Sequence, residues 1–371
     1  METRRKTTIS RREFLKGAAT LGVTALVQRL LDSVNPSRQA AAAPEATRLS
    51  ATPSQAQDFD HHVYVPLILR QPSPIVPHGP SKLGVHTIKP NNALGFVQGV
   101  HDAGAHVALV KSVDDFGYIR LVKEASPETV TIGRWTGEHW VEANGSPAEK
   151  AALIMGKHMP RWSYEKDVMD YWEVLNEVDP PTVEGHVWLA QFYMEAMNIA
   201  DANGYKLAIF SYSVGVPQWH EWEAIVETGV FAQAKENGHI LALHEYNYPT
   251  MDYRWGEPLE DQPTYPDRGC LSGRYRHLYR DFLIPRDEAI PLAITEGGLD
   301  PALWQPGMPT TWKDRLVEEM ARFDDRLRED DYVIGIAIFT IGGAYGWELY
   351  DYEELLPDFS DHIVTTALED A

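Results

Sequence analysis

Tyr171-Trp172-Glu173-Val174-Leu175-Asn176-Glu177 is a short apolar run that ends on two polar residues. After a polar turn comes a stretch of helical period, Gly185–Asn203, with Gly204 in the position that closes a helix. A strand followed by a helix is one βα unit, and the unit recurs on both sides. Leu83–Ile88, Val107–Lys111 and Val130–Trp135 precede it as strand candidates. Lys206–Ser211, Ile240–Tyr246, Pro291–Thr295 and Val333–Thr340 follow it. Each run leads into a helical segment, such as Thr311–Glu329 after the seventh. Eight βα units in succession predict an α/β protein with a closed (β/α)8 architecture, the TIM barrel. The competing open, doubly wound sheet normally begins with a glycine-rich phosphate turn, and Val85-His86-Thr87-Ile88-Lys89 is not one.

Composition agrees with one large domain. The chain has 371 residues, 44% hydrophobic and 11% aromatic, enough to fill a sizeable core. Its 33 Lys and Arg against 54 Asp and Glu leave a net charge of −21, which disfavours a nucleic-acid partner. A single cysteine, Cys270, allows no intrachain disulfide and no cysteine-based zinc site. No uncharged apolar run approaches the length of about 18 residues that a membrane span needs, so none is expected in the mature chain.

The N-terminus reads Ser10-Arg11-Arg12-Glu13-Phe14-Leu15-Lys16-Gly17, then a mildly apolar stretch from Gly17 to Val27, then Gln39-Ala40-Ala41-Ala42-Ala43-Pro44. This order resembles a bacterial twin-arginine export signal over residues 1–43, and implies an extracytoplasmic or secreted protein. A lone cysteine fits that route. Residues 1–43 hold eight Lys or Arg and three Asp or Glu, so their removal takes the net charge to −26. If the signal were retained, residues 17–31 would tether the domain. Residues 44–80, rich in Pro, Ser, Gln and Ala, read as a linker or surface strap, with Val63–Leu69 able to dock. Residues 81–371 are expected to form the catalytic barrel domain.

Two carboxylates stand where apolar strands meet their loops: Glu177, and Glu296 in Leu292-Ala293-Ile294-Thr295-Glu296-Gly297-Gly298. Strand ends of a closed barrel converge on one mouth, although 119 residues separate these two acids. Two facing carboxylates there can split a glycosidic bond, one protonating the leaving oxygen and the other attacking the anomeric carbon. Trp-Glu-Val-Leu-Asn-Glu and Ile-Thr-Glu-Gly-Gly, on strands four and seven, resemble the two acid motifs of the clan A retaining glycoside hydrolases. The resemblance covers roughly residues 82–355 and implies hydrolysis of β-linked poly- or oligosaccharides without a metal or organic cofactor. It also implies Glu177 as acid/base, Glu296 as nucleophile, carboxyls about 5 Å apart with retention of configuration, and Asn176 on the sugar 2-hydroxyl.

The same resemblance points to Tyr246, in Leu243-His244-Glu245-Tyr246-Asn247-Tyr248, as a phenol donor to Glu296. His244 is expected to line the sugar site or to be a buried histidine satisfied by backbone. Family members often carry an arginine at the end of strand two, where this chain has Lys111. Lys111, or Arg134 at the end of strand three, is expected to take that place. Glu173 shares strand parity with Glu177 and reads as the balance of a buried cation. Trp347, after strand eight, is the candidate floor of the sugar site. Trp135, Trp140, Trp255 and Trp304 fall on loops of the expected mouth. Trp188, Trp219, Trp222 and Trp312 lie near helices and read as structural. The longest excursion, Pro249 to Asp281, holds Tyr253, Trp255, Tyr265, Tyr275 and Tyr279 and is expected to recognise substrate.

Two rival classes fit parts of the sequence. A metal-dependent barrel hydrolase or isomerase would draw ligands from His86, His244, Glu177 and Glu296, but strand one has no His-x-His pair. A non-catalytic carbohydrate-binding protein on a glycosidase scaffold would usually have lost one acid. Transglycosylation differs from hydrolysis only in the acceptor.

Overall fold

The computed structural model describes residues 79–259, 262–303 and 311–369. The expected export signal, nearly all of the linker, and Trp304 lie outside the described residues. The eight expected strands are all present: β1 Leu83–Thr87, β2 Leu109–Val113, β3 Val130–Arg134, β4 Tyr171–Glu173, β5 Ala208–Tyr212, β6 Ile240–Asn247, β7 Leu292–Leu299 and β8 Val333–Ile341. They form one parallel sheet in the order β4-β3-β2-β1-β8-β7-β6-β5. The two edges meet through a parallel bridge between Trp172 and Leu207, which closes the (β/α)8 barrel.

Helices fill the connections: α1 Ala93–Asp102, α2 Ile119–Ala125, α3 Pro147–Trp162 and α4 Val183–Ala202 after the first four strands. Two short helices, α5 Trp219–Val226 and α6 Val230–Asn237, follow β5. Then come α7 Tyr275–Leu278, continued by a π-helical turn Tyr279–Leu283, α8 Trp312–Arg328 and α9 Leu356–Glu369. Their starts follow side-chain caps. Thr182 accepts from Gly185 N, so α4 begins two residues before the expected Gly185. Thr311 and Asp314 form a capping box at α8.

Strand β4 is shorter than its apolar run. Beyond Glu173 the chain leaves the ladder, and Asn176 N donates to His139 O (2.8 Å) and Glu177 N to Ser211 O (2.9 Å). The second and fifth strands each start two residues later than expected, at Leu109 and Ala208.

The lumen changes character along its axis. Leu109, Ile132, Ala208, Ile240, Ala242, Ala293 and Ala337 form an apolar cluster of their own, separate from the larger core between strands and helices. Side chains alternate along a strand, so the residue two positions on faces the same way. From that layer the chain passes from Leu109 to Lys111, from Ile132 to Arg134, from Tyr171 to Glu173 and from Ala242 to His244. The plug is apolar below and ionic above, and all of these upper residues are buried.

Candidate active site

A bulge aims Glu296. In the β6–β7 ladder Leu243 pairs with Ile294 but His244 pairs with Glu296, so Thr295 is an extra residue. One inserted residue reverses side-chain parity beyond it, and Glu296 thereby comes level with His244. The next residue must be glycine. A Cβ at Gly297 would stand 2.6 Å from Glu245 O. On the opposite rim Glu177 takes a left-handed φ of +49°, an uncommon conformation that its bond to Ser211 O holds in place.

Around these backbones the acids converge. One carboxylate oxygen of Glu177, one of Glu296 and a ring nitrogen of His244 lie within 4.8 Å of one another. His244 Nδ1 is 3.0 Å from Glu177 Oε1 and 3.6 Å from Glu296 Oε2. Arg134 Nη1 donates to Glu296 Oε1 at 2.6 Å and also to Asn176 Oδ1. Tyr246 Oη donates to Glu296 Oε2 at 3.2 Å. Burial works against ionisation of Glu296, but His244 and Arg134 foremost outweigh it and hold the carboxyl well below its usual range. Burial, reinforced by the charge of Glu296, pushes the Tyr246 phenol well up, so it stays a donor.

Lys111 lies beneath this layer, fully buried, with its ammonium on Glu173 Oε2. Glu173 Oε2 is 3.6 Å from Arg134 Nη1. Glu173 therefore balances buried cations, as expected. Arg134, not Lys111, makes the direct contact with Glu296. Lys111 reaches Glu296 only through an ion chain and has no surface open to solvent.

His86 is fully buried, and burial pushes its pKa well below the usual histidine range. Its Nδ1 bonds Thr340 Oγ1 at 2.8 Å, and its Nε2 faces Glu296 Oε1 at 3.8 Å.

Sequence reasoning missed Phe339. Its ring lies 4.6 Å from His86 and 6.2 Å from Tyr246, centroid to centroid. Trp347 packs edge-on against Phe339 at 5.3 Å and against Tyr350. The strand-eight ring that meets the acid layer is thus Phe339, and Trp347 supports it. Phe339 shares parity with the lumen residue Ala337, a signal the sequence did contain.

The remaining aromatics separate into two groups. Trp140 stands 54% exposed on the β3 loop, and Trp135 packs edge-on against His158. Trp255 sits between Phe323 and the Arg276 and Arg326 guanidinium groups, with its Nε1 on Ser272. Tyr275 and Tyr279 are buried, bonding Asp330 and Ile290 O. Ile290 precedes β7, so these two tyrosines face the floor of the barrel. The excursion after β6 supplies the β6–β7 crossover as well as mouth surface, which corrects the expectation that Tyr275 and Tyr279 belong to a substrate-recognition loop.

The spacing of Glu177, His244 and Glu296 would also suit a metal ion, whereas His86 stands outside that group. Charge argues against one. Arg134 already donates to Glu296 Oε1, with Lys111 behind, and a dication would meet both.

No family model matches the sequence, and no curated protein matches it. Several solved structures resemble the chain. A β-porphyranase of glycoside hydrolase family 86 from Bacteroides plebeius has 14% identity and a TM-score of 0.42, over 72% of this chain and 49% of that one. The catalytic domain of a mannanase from Streptomyces sp. SirexAA-E has 16% identity and a TM-score of 0.38, over 79% and 89%. A β-glucosidase from Thermotoga maritima has 11% identity and a TM-score of 0.44, over 76% and 86%. The chain covers about half the length of the porphyranase. At these identities the likeness concerns the barrel alone.

Proposed function

We propose that the protein is an exported glycoside hydrolase that cleaves β-linked poly- or oligosaccharides with retention of configuration. The observation that carries this is the convergence of Glu177 and Glu296, from strands four and seven, on one His244 nitrogen. A retaining enzyme needs two carboxyls about 5–5.5 Å apart, one ionised and one able to give a proton. His244 and Arg134 keep Glu296 ionised, and Arg134 and Tyr246 orient it for attack.

In the first step Glu296 forms a bond to the anomeric carbon while the glycosidic bond breaks. Glu177 gives its proton to the leaving oxygen. In the second step Glu177 takes a proton from water, whose oxygen displaces Glu296 and returns it as carboxylate. Asn176, oriented by Arg134, presents its amide beside Glu296 to the 2-hydroxyl. Phe339 supplies the apolar floor under the ring. Residues 1–43 direct the chain out of the cytoplasm by the twin-arginine route.

The test is a turnover screen on aryl glycosides and on β-glucan, xylan, mannan and galactan, with the Glu296→Ala protein in parallel and with and without chelator. Turnover that disappears in the variant and survives chelator supports the proposal. Turnover lost to chelator moves the assignment to the metal-dependent reading. A folded wild type that binds sugar without turning any over moves it to the binding-protein reading.

A further inference from the structure

Two large aromatic rings, Trp140 and Tyr345, stand open to solvent on loops of the mouth. Trp140, on the loop between β3 and α3, is 54% exposed. That loop is fastened to the acid/base strand, because His139 O accepts from Asn176 N at 2.8 Å. Tyr345, on the loop between β8 and α9, is 78% exposed. Lys89 from the β1 loop lies 5.0 Å from its ring centroid and supports it from one side. Tyr345 also holds a left-handed φ of +60°, a conformation rare for a bulky residue. In the ring of strands β3 adjoins β4, which carries Glu177, and β8 adjoins β7, which carries Glu296. Each aromatic therefore stands on the loop beside one of the two acids.

Charge narrows the occupant. The loops that follow β1, β2, β3 and β8 carry eight Asp or Glu and one lysine, Lys89. That side of the mouth, where both rings stand, repels polyanions. The apolar face of a pyranose packs on an aromatic ring by burial and needs no charge. We infer that Trp140 and Tyr345 are sugar-binding platforms beside the two acids, so that the mouth takes several units of an uncharged polysaccharide chain cut internally. The inference rests on the glycosidase reading for cleavage but not for binding.

The experiment separates the two. The Glu296→Ala protein is run in native gels containing soluble β-glucan, glucomannan, arabinoxylan, galactan or polygalacturonate. At least one neutral polymer is expected to retard it, and polygalacturonate is not. Trp140→Ala and Tyr345→Ala, made in that background, should each raise the apparent Kd about tenfold, the size of one modest contact. Trp140→Phe and Tyr345→Phe, which keep a ring, should restore most of the retardation. Retardation by no neutral polymer, retardation untouched by both alanines, or tighter binding of polygalacturonate would each overturn the inference. Retardation that falls in the alanine variants, from a wild type that cleaves nothing, would keep the two platforms and remove the hydrolase reading.

Discussion

Replacing Arg134 by Met removes the cation 2.6 Å from Glu296 Oε1 and leaves the other partners in place. At that distance and an effective dielectric near 20 the attraction is about 6 kcal/mol. Most of it is offset, since Glu173 already draws on the same guanidinium at 3.6 Å and both groups are desolvated. His244 and Tyr246 also continue to favour the carboxylate. Carboxylates beside an arginine are typically depressed by about 1–3 pKa units, which is about 1.4–4 kcal/mol. The sign is fixed, because loss of the cation raises the Glu296 pKa and protonates the nucleophile at higher pH. The assay is kcat/KM from pH 3 to 8 on an aryl glycoside with a good leaving group, so that proton donation by Glu177 does not limit. The acidic limb should move upward by about 1–3 units, while the basic limb stays. Stability should fall by about 3–5 kcal/mol, the usual result of stranding one member of a buried pair. An acidic limb that does not move would refute the role given to Arg134.

Three further outcomes follow from the same geometry. Glu177→Ala should slow substrates with poor leaving groups far more than those with good ones, since only the former need the proton, and equal slowing of both would remove its assignment as the acid. Tyr246→Phe should lower kcat/KM about ten- to a hundredfold, the range for one hydrogen bond to a charged group, and raise the acidic limb; an unchanged profile would mean that the phenol only packs. Glu245 is buried with its carboxylate on Gly273 N and Tyr275 N, and burial, opposed by those donors, pushes its pKa up to about 7 from 4.5. A folded pKa above the unfolded one contributes stability that is full below pH 4.5 and lost as pH rises through about 7, so the melting temperature should fall across that window and Glu245→Gln should flatten the slope.

The strands were legible because parallel barrel strands are buried on both faces and read as unbroken apolar runs. The eight-unit count then placed Glu177 and Glu296 at one mouth without any structure. Pairing details were not legible. The Thr295 bulge that aims Glu296 depends on the register of β6 against β7, which no local pattern in β7 records. Lys111 and Arg134 could each have taken the family arginine's place. Only the ring order shows that Lys111 faces Glu173 while Arg134 spans to Glu296. Phe339 was hidden inside an apolar run that serves as strand and site floor together. Tyr275 and Tyr279 read as mouth residues because they fall in a long loop. The chain there turns back as α7 and its π turn to carry them to the barrel floor.

The central claim is that Glu296 attacks the anomeric carbon. It is tested most directly by incubating the protein with activated 2-deoxy-2-fluoro glycosides of the gluco, manno, galacto and xylo series, which slow the second step and accumulate the glycosyl-enzyme. The account predicts a mass increase of one fluoroglycosyl group, on the peptide containing Glu296, absent from Glu296→Ala. A label on Glu177 or any other residue, or turnover of natural substrate with inversion at the anomeric carbon, would contradict it.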